Sequence, residues 1–265
     1  MNAAKVFRTI GPPLLFGVVF LLLWEGIVRA FDIQKFLLPA PSAIWDQLVA
    51  LRGNVWDATF QTGVNAFYGL VAGVVLGVLL AFVLMRFRFL DEMVTPLAIA
   101  LNAIPIIVIV PVLNNMFSAT TETPRRMMVV LIVFFIVLVN VAKGLRQVSP
   151  THLELMRSYA ASPWQVLVKT RIPNAVPYLF TALKIAAPIA VITAFVAEYF
   201  GGVQNGLGYG ITSSASISRN DAMWAYVVGA CVLGITFFLI SVGLEMTTTR
   251  NQQQTGGTAP GGANT

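Results

Sequence analysis

One cysteine, Cys231, and one histidine, His152, stand in a chain of 265 residues, so no disulfide can close within it and no cage of His and Cys ligands can hold a metal. Cys231 sits in an apolar run and reads as a small packing residue. Charge is scarce as well: Asp, Glu, Lys and Arg make up 11% of the sequence, against roughly a quarter in soluble globular chains. No Gly is followed directly by Lys, which excludes the G-x-x-x-x-G-K-[ST] phosphate loop and means that any ATP chemistry must come from another polypeptide. The apolar runs carry no Ser/His or paired-carboxylate constellation, which argues against an intramembrane enzyme, and His152 lies in a polar linker where it reads as a surface residue.

What the chain has in abundance is apolar side chain, 57% of all residues. It comes in six unbroken runs at about 12–31, 59–85, 94–117, 127–142, 174–199 and 222–246. Runs near 20 residues cross ~30 Å of hydrocarbon as helices, and lipid offers no partners for open strand edges. The fold class is therefore an all-α integral membrane protein, a bundle of six transmembrane helices spanning 12–246. Residues 1–11 read as a short cytoplasmic N-terminus, and 247–265, rich in Gly, Gln, Thr and Asn, read as a disordered tail. Lys5 and Arg8 ahead of the first run could suggest a signal peptide, but no convincing small-residue cleavage site precedes Arg29, so an uncleaved span is expected.

The net charge of +6 does not point to nucleic acid, because the basic residues fall between the runs instead of along one polar face. Lys5, Arg8, Arg86, Arg88, Lys143, Arg146, Arg157, Lys169, Arg171 and Arg250 lie on one side of the predicted bundle. The other side holds only Lys35, Arg52, Arg125, Arg126 and Arg219. The positive-inside rule then puts both termini in the cytoplasm, with Arg125 and Arg126 opposing the bias.

The polar linker 149–173 reads SPTHLELMRSYAASPWQVLVKTRIP. Thr151 with Glu154 and Ser162 with Gln165 make two capping-box patterns, with Pro163 at a first helical position, so two short helices joined at Ser162 are expected. On the first, Leu153, Met156 and Ala160 form an apolar stripe, as do Leu155 and Tyr159, beside Glu154 and Arg157. Such a stripe either packs under its own bundle or docks on a protein partner.

Within the runs, Gly69, Gly73 and Gly77 fall four apart and offer a face for close helix packing, within one subunit or across a dimer, or for sliding during gating. Polar groups inside the spans are Glu25, Asn65, Asn102, Asn140, Lys184, Glu198 and Glu245. Pro105, Pro111 and Pro188 should kink the third and fifth spans and expose carbonyls, which selects those spans as walls of a path, with Asn102, Thr193 and Glu198 lining it. The GLGYG run at 206–210 follows no strand and reads as a flexible outer loop, not a nucleotide fingerprint.

The linker resembles the EAA loop of binding-protein-dependent ABC permeases. Glu154 matches the acidic residue of that motif, Ala160 stands where the family has Gly, Ala161 follows, and Ile172-Pro173 matches its ending, while Leu155 and Met156 replace two alanines. LPAPSAIWDQL after the first run and VAEYFGGVQNGLGYGI after the fifth resemble the nitrate, sulfonate and taurine group of the same permeases. The resemblance covers residues 38–246 and implies a type I importer permease. Its linker would couple to a cytoplasmic ATPase through Glu154, Arg157, Ser158, Tyr159, Ala160, Ala161 and Ser162. It implies a second permease copy, an extracytoplasmic binding protein that selects the cargo, and a gate at 201–220. No cofactor belongs to the chain itself, ATP and Mg being held by the ATPase subunits, and the implied location is the bacterial inner membrane. The alternative, an ion-coupled secondary transporter or channel, calls for charged residues at mid-membrane and often a repeated half. Neither stands out in the sequence.

Overall fold

The computed structural model describes residues 3–101, 106–118 and 120–255. Among them every regular element is helical. In order they are α1 (Ala3–Ala30), α2 (Pro41–Ala50), α3 (Arg52–Arg86), α4 (Arg88–Leu101), α5 (Ile106–Phe117), α6 (Thr123–Arg146), α7 (Pro150–Ser158), α8 (Pro163–Val166), a π-helical turn at Leu167–Arg171, α9 (Ile172–Tyr199), α10 (Gly206–Ser216) and α11 (Asn220–Thr255).

Among the described residues five helices are long and apolar enough to cross a membrane: the 11–30 part of α1, α3, α6, the continuous 163–199 stretch ending in α9, and the 220–247 part of α11. Within the third apolar run the described residues form α4 and α5. Residues 102–105, which include Asn102 and Pro105, lie outside the described residues. At the C-terminus α11 continues to Thr255, past the predicted boundary at 247, and the residues after it lie outside those described.

The core is built on α6. Val129, Val133 and Val137, four apart, are fully buried against α3, where Gly69, Gly73 and Gly77 are spaced to receive them. A methyl group on Gly73 would come within 2.7 Å of Val133 Cβ, and one on Gly77 within 2.9 Å of the Phe134 carbonyl. The glycine face thus packs inside one protomer. On the other side of α6, α9 presents Ala182, Ala186, Ala190 and Ala194, all fully buried. Gly144 admits the Tyr178 ring, 2.8 Å from where a Cβ would stand. Small residues on both partners let helix axes approach, and van der Waals packing does the work that water does in soluble cores.

At the periphery, α1 exposes Phe16, Leu15 and Leu22 and is tied to α11 by an edge-to-face contact of Trp24 with Trp224 at 5.3 Å. Glu25 bonds the Ser42 hydroxyl at 2.8 Å and pairs with Arg29, and Lys184 pairs with Glu245 at 2.9 Å between α9 and α11. Asn140 donates to the Ile136 carbonyl one turn back. These charged and amide groups are satisfied within the helices or between them, as hydrocarbon requires.

Candidate functional site

The 149–173 segment forms one end of the bundle. Its first helix starts earlier than expected: Ser149 is the N-cap, Pro150 occupies the first turn, and no side-chain cap bond forms, so the Thr151–Glu154 capping box is absent. The second box is present. Ser162 Oγ accepts from the Gln165 N–H at 3.3 Å, and the Gln165 side chain accepts from the Ser162 N–H at 2.8 Å. The element it opens is not a separate short helix, because α8 runs through the π turn into α9 as one rod from Pro163 to Tyr199.

Between α7 and α8 the chain reverses through a Schellman turn: the Ala161 N–H bonds the Met156 carbonyl at 3.0 Å, and the Ala160 N–H bonds the Arg157 carbonyl at 2.9 Å. Ala160 takes φ of +49°, the left-handed conformation that this position demands and glycine adopts without cost. Alanine there costs roughly 1 kcal/mol, and the turn forms nonetheless.

No residue of α7 is buried. Leu155 and Tyr159 on its stripe are 52% and 76% exposed, and Trp164 beyond the turn is 70% exposed. Leu153 and Met156 of the other stripe are half-buried, and no residue of α7 is fully covered by the bundle among the described residues. Glu154, Arg157 and Ser158 are exposed beside it, with the Ser158 hydroxyl donating to the Leu155 carbonyl at 2.8 Å.

The opposite end carries a polar network that sequence reasoning missed. The Glu122 carboxylate, just ahead of α6, accepts from Asn205 (2.8 Å), Asn65 (2.9 Å), Arg125 (3.1 Å) and Gln61 (3.2 Å). Burial disfavours its charge, but the Asn205 bond, the Arg125 charge and the Asn65 bond outweigh that and hold the carboxyl below its usual range. Arg125, only 1% exposed, also donates to the Asn205 side chain and the Val203 carbonyl. Arg126 bonds Asn65 at 3.0 Å and lies over the Tyr68 ring at 4.8 Å. The two arginines that oppose the charge bias are thus placed by local partners.

Beside this network, Glu198 anchors α10. Its carboxylate accepts from the Thr62 hydroxyl at 2.7 Å and the Gly208 N–H at 3.1 Å, and Thr62 in turn accepts from the Leu207 N–H at 2.9 Å. A carboxylate at a helix N-terminus satisfies orphan donors and complements the dipole. The GLGYG run is accordingly not a flexible loop; it opens a helix whose Gly206, Leu207, Gly208, Gly210 and Ile211 are buried. Gly206, with φ of +85°, leaves no room for a Cβ beside the Glu198 carboxylate, and one on Gly210 would meet the Tyr226 ring at 2.6 Å. Low helix propensity of Gly and Ser hid this helix, while the four-residue spacing of Leu207 with Ile211 and of Gly206, Gly210 and Ser214 carried its signal.

Of the residues expected along a path, Thr193 and Glu198 are buried inside the protomer, 3% and 2% exposed, five residues apart on α9. Asn102 is outside the described residues. The seven linker residues lie together around α7 and its turn.

Residues 73–247 match the family described as binding-protein-dependent transport system inner membrane component. The chain belongs to this family. It is 30% identical to a probable ABC transporter permease protein of Haemophilus influenzae over 218 residues, covering 82% of this chain and 88% of the relative. It is 29% identical to the formylaminopyrimidine transport permease ThiX of Halalkalibacterium halodurans, covering 88% and 92%. In fold it is similar to an inward-facing methionine ABC transporter, with a TM-score of 0.51 at 19% identity over 73% of this chain and 95% of that one. The protein is therefore the membrane-spanning permease subunit of an ABC importer, a multi-pass transport subunit that works with an ATPase and a substrate-binding protein. The secondary-transporter alternative is not favoured.

Within this permease the GLGYG helix and the EAA-like linker fall at opposite ends of the same long helix, α9.

Proposed function

We propose that the permease sits in the bacterial inner membrane with both termini inside, pairs with a second copy, and couples to its ATPase subunits through Glu154, Arg157, Ser158, Tyr159, Ala160, Ala161 and Ser162. The observation that carries this reading is the stance of α7: an amphipathic helix too polar to enter lipid, with no buried residue and with Leu155 and Tyr159 exposed. A protein groove is the environment that covers such a stripe in water. Charges beside it, Glu154 and Arg157, would fix the register of docking.

Force applied at α7 reaches the membrane through the continuous 163–199 rod, whose other end holds α10 by Glu198. The α10 end would face the binding protein and act as the outer gate. The cargo would be a small solute handed over by that protein; relatives are named for the transport of formylaminopyrimidine, taurine and nitrate.

The test is transport and ATP hydrolysis by the importer reconstituted in proteoliposomes. Tyr159→Glu and Leu155→Glu should each lower solute uptake by about tenfold or more, the scale of losing an interface anchor, while the permease remains folded and inserted. Uptake at the wild-type level in both variants would refute the docking role.

A further inference from the structure

Between the end of α3 and the turn leading into α9 lies a cleft of about 590 Å³, walled by Met85, Arg86, Trp164, Val166, Leu167 and Arg171. Its position is set by the helices: Arg86 is the last residue of α3 and Arg171 immediately precedes α9, so both stand where spans leave the hydrocarbon for the headgroup layer. Trp164, largely exposed, has the amphipathic ring enriched at that depth.

The charges in the cleft are of one sign. Arg171 spends one N–H on the Leu145 carbonyl at 3.0 Å and keeps further donors, and Arg86 lies over the Phe87 ring at 5.6 Å. Neither forms an ion pair with a carboxylate among the described residues. Two guanidinium groups over an apolar bed of Met85, Val166 and Leu167 call for an occupant with an oxyanion head and an apolar body.

We propose that this cleft binds an anionic phospholipid, its phosphate between Arg86 and Arg171 and the start of its acyl chains along Met85 and Leu167. Guanidinium groups recognise phosphate through paired, charge-assisted hydrogen bonds. A zwitterionic lipid would bring an ammonium group into the same field, and free phosphate would leave the apolar bed uncovered. The lipid would join α3 to the 161–171 segment, bracing the base of the rod from the membrane side. The inference rests on the chain spanning a bilayer and not on α7 docking.

The test uses the full chain in nanodiscs, with the Trp164 signal taken as the difference between wild type and Trp164→Phe. Brominated phosphatidylglycerol should quench that signal at a mole fraction about thirtyfold lower than brominated phosphatidylcholine, a ratio set by two basic contacts near the surface. Arg86→Gln should abolish most of the difference and Arg86→Lys should retain much of it. Equal quenching by the two lipids, no change in Arg86→Gln, or displacement of the lipid by excess inorganic phosphate would each overturn the assignment.

Discussion

At the α10 end Arg125 and Glu198 are almost wholly buried and Glu122 accepts four hydrogen bonds, whereas at the other end no residue of α7 is buried and Tyr159 stands three-quarters exposed. Both ends interrupt an apolar bundle with polar sequence. One encloses its polar groups and bonds most of them from four helices, with Arg125 Nε and Glu198 Oε1 buried without a partner among the described residues; the other turns apolar groups outward. An enclosed network of this kind fixes geometry, because removing any member strands its neighbours in a medium of low dielectric. An open apolar stripe fixes nothing by itself and gains its free energy only when a second surface covers it. The difference separates a part that holds the permease together from a part that, in the proposed role, would connect it to an ATPase subunit.

Substitutions should expose that contrast. The largest effect is expected for Glu122→Ala, which leaves Arg125 buried without its anion and should destabilise the permease by about 3–5 kcal/mol. Thermal unfolding of the purified protein would show it, and Glu122→Ala combined with Arg125→Met should recover most of the loss. If Glu122→Ala unfolds at the wild-type temperature, the enclosed network is not what stabilises this end.

Gly73→Val tests the seam beneath both ends. Forcing a branched side chain where even a methyl would stand 2.7 Å from Val133 Cβ should cost about 1–3 kcal/mol and lower the yield of monodisperse protein.

Acid should weaken the α10 end selectively. The Glu122 carboxyl has a lower pKa folded than unfolded, so its contribution is complete above the ordinary carboxylate range and is lost as pH falls through the lower folded-state value. Unfolding temperature measured at descending pH should therefore drop more steeply in wild type than in Glu122→Gln, which has no charge there to lose.

The smallest change concerns the exposed end. Ala160→Gly relieves a left-handed alanine and should leave stability within about 1 kcal/mol of wild type, on the stabilising side, with transport retained. Ala160→Val, which disfavours that conformation more strongly, should impair coupling measured as solute moved per ATP hydrolysed.

Much of the fold was legible because hydrophobic length is a one-dimensional property. The runs at 59–85, 127–142, 174–199 and 222–246 appear as α3, α6, α9 and α11 with ends a few residues longer. The Ser162 box was readable for the same reason, its partners being three residues apart. Thr151 and Glu154 had the same spacing but not the same outcome: Pro150, fitting a first helical turn, let Ser149 take the cap and moved the start upstream. Glu198 shows where reading stops. As an isolated carboxylate near a span end it gave no sign that Thr62, 136 positions earlier, and Gly208 would converge on it.

By itself the sequence determined that this chain lives in a bilayer, where its spans lie, and that its 149–173 linker carries an apolar stripe in a polar segment, since each follows from residue type and spacing along one strand of chain. Tertiary structure alone decided that the glycine face meets α6 in the same protomer, that GLGYG opens a buried helix, and that Leu155 and Tyr159 on α7 stay exposed among the described residues. Those outcomes depend on which distant side chains fill a given volume and satisfy a given buried donor, and packing in three dimensions settles that.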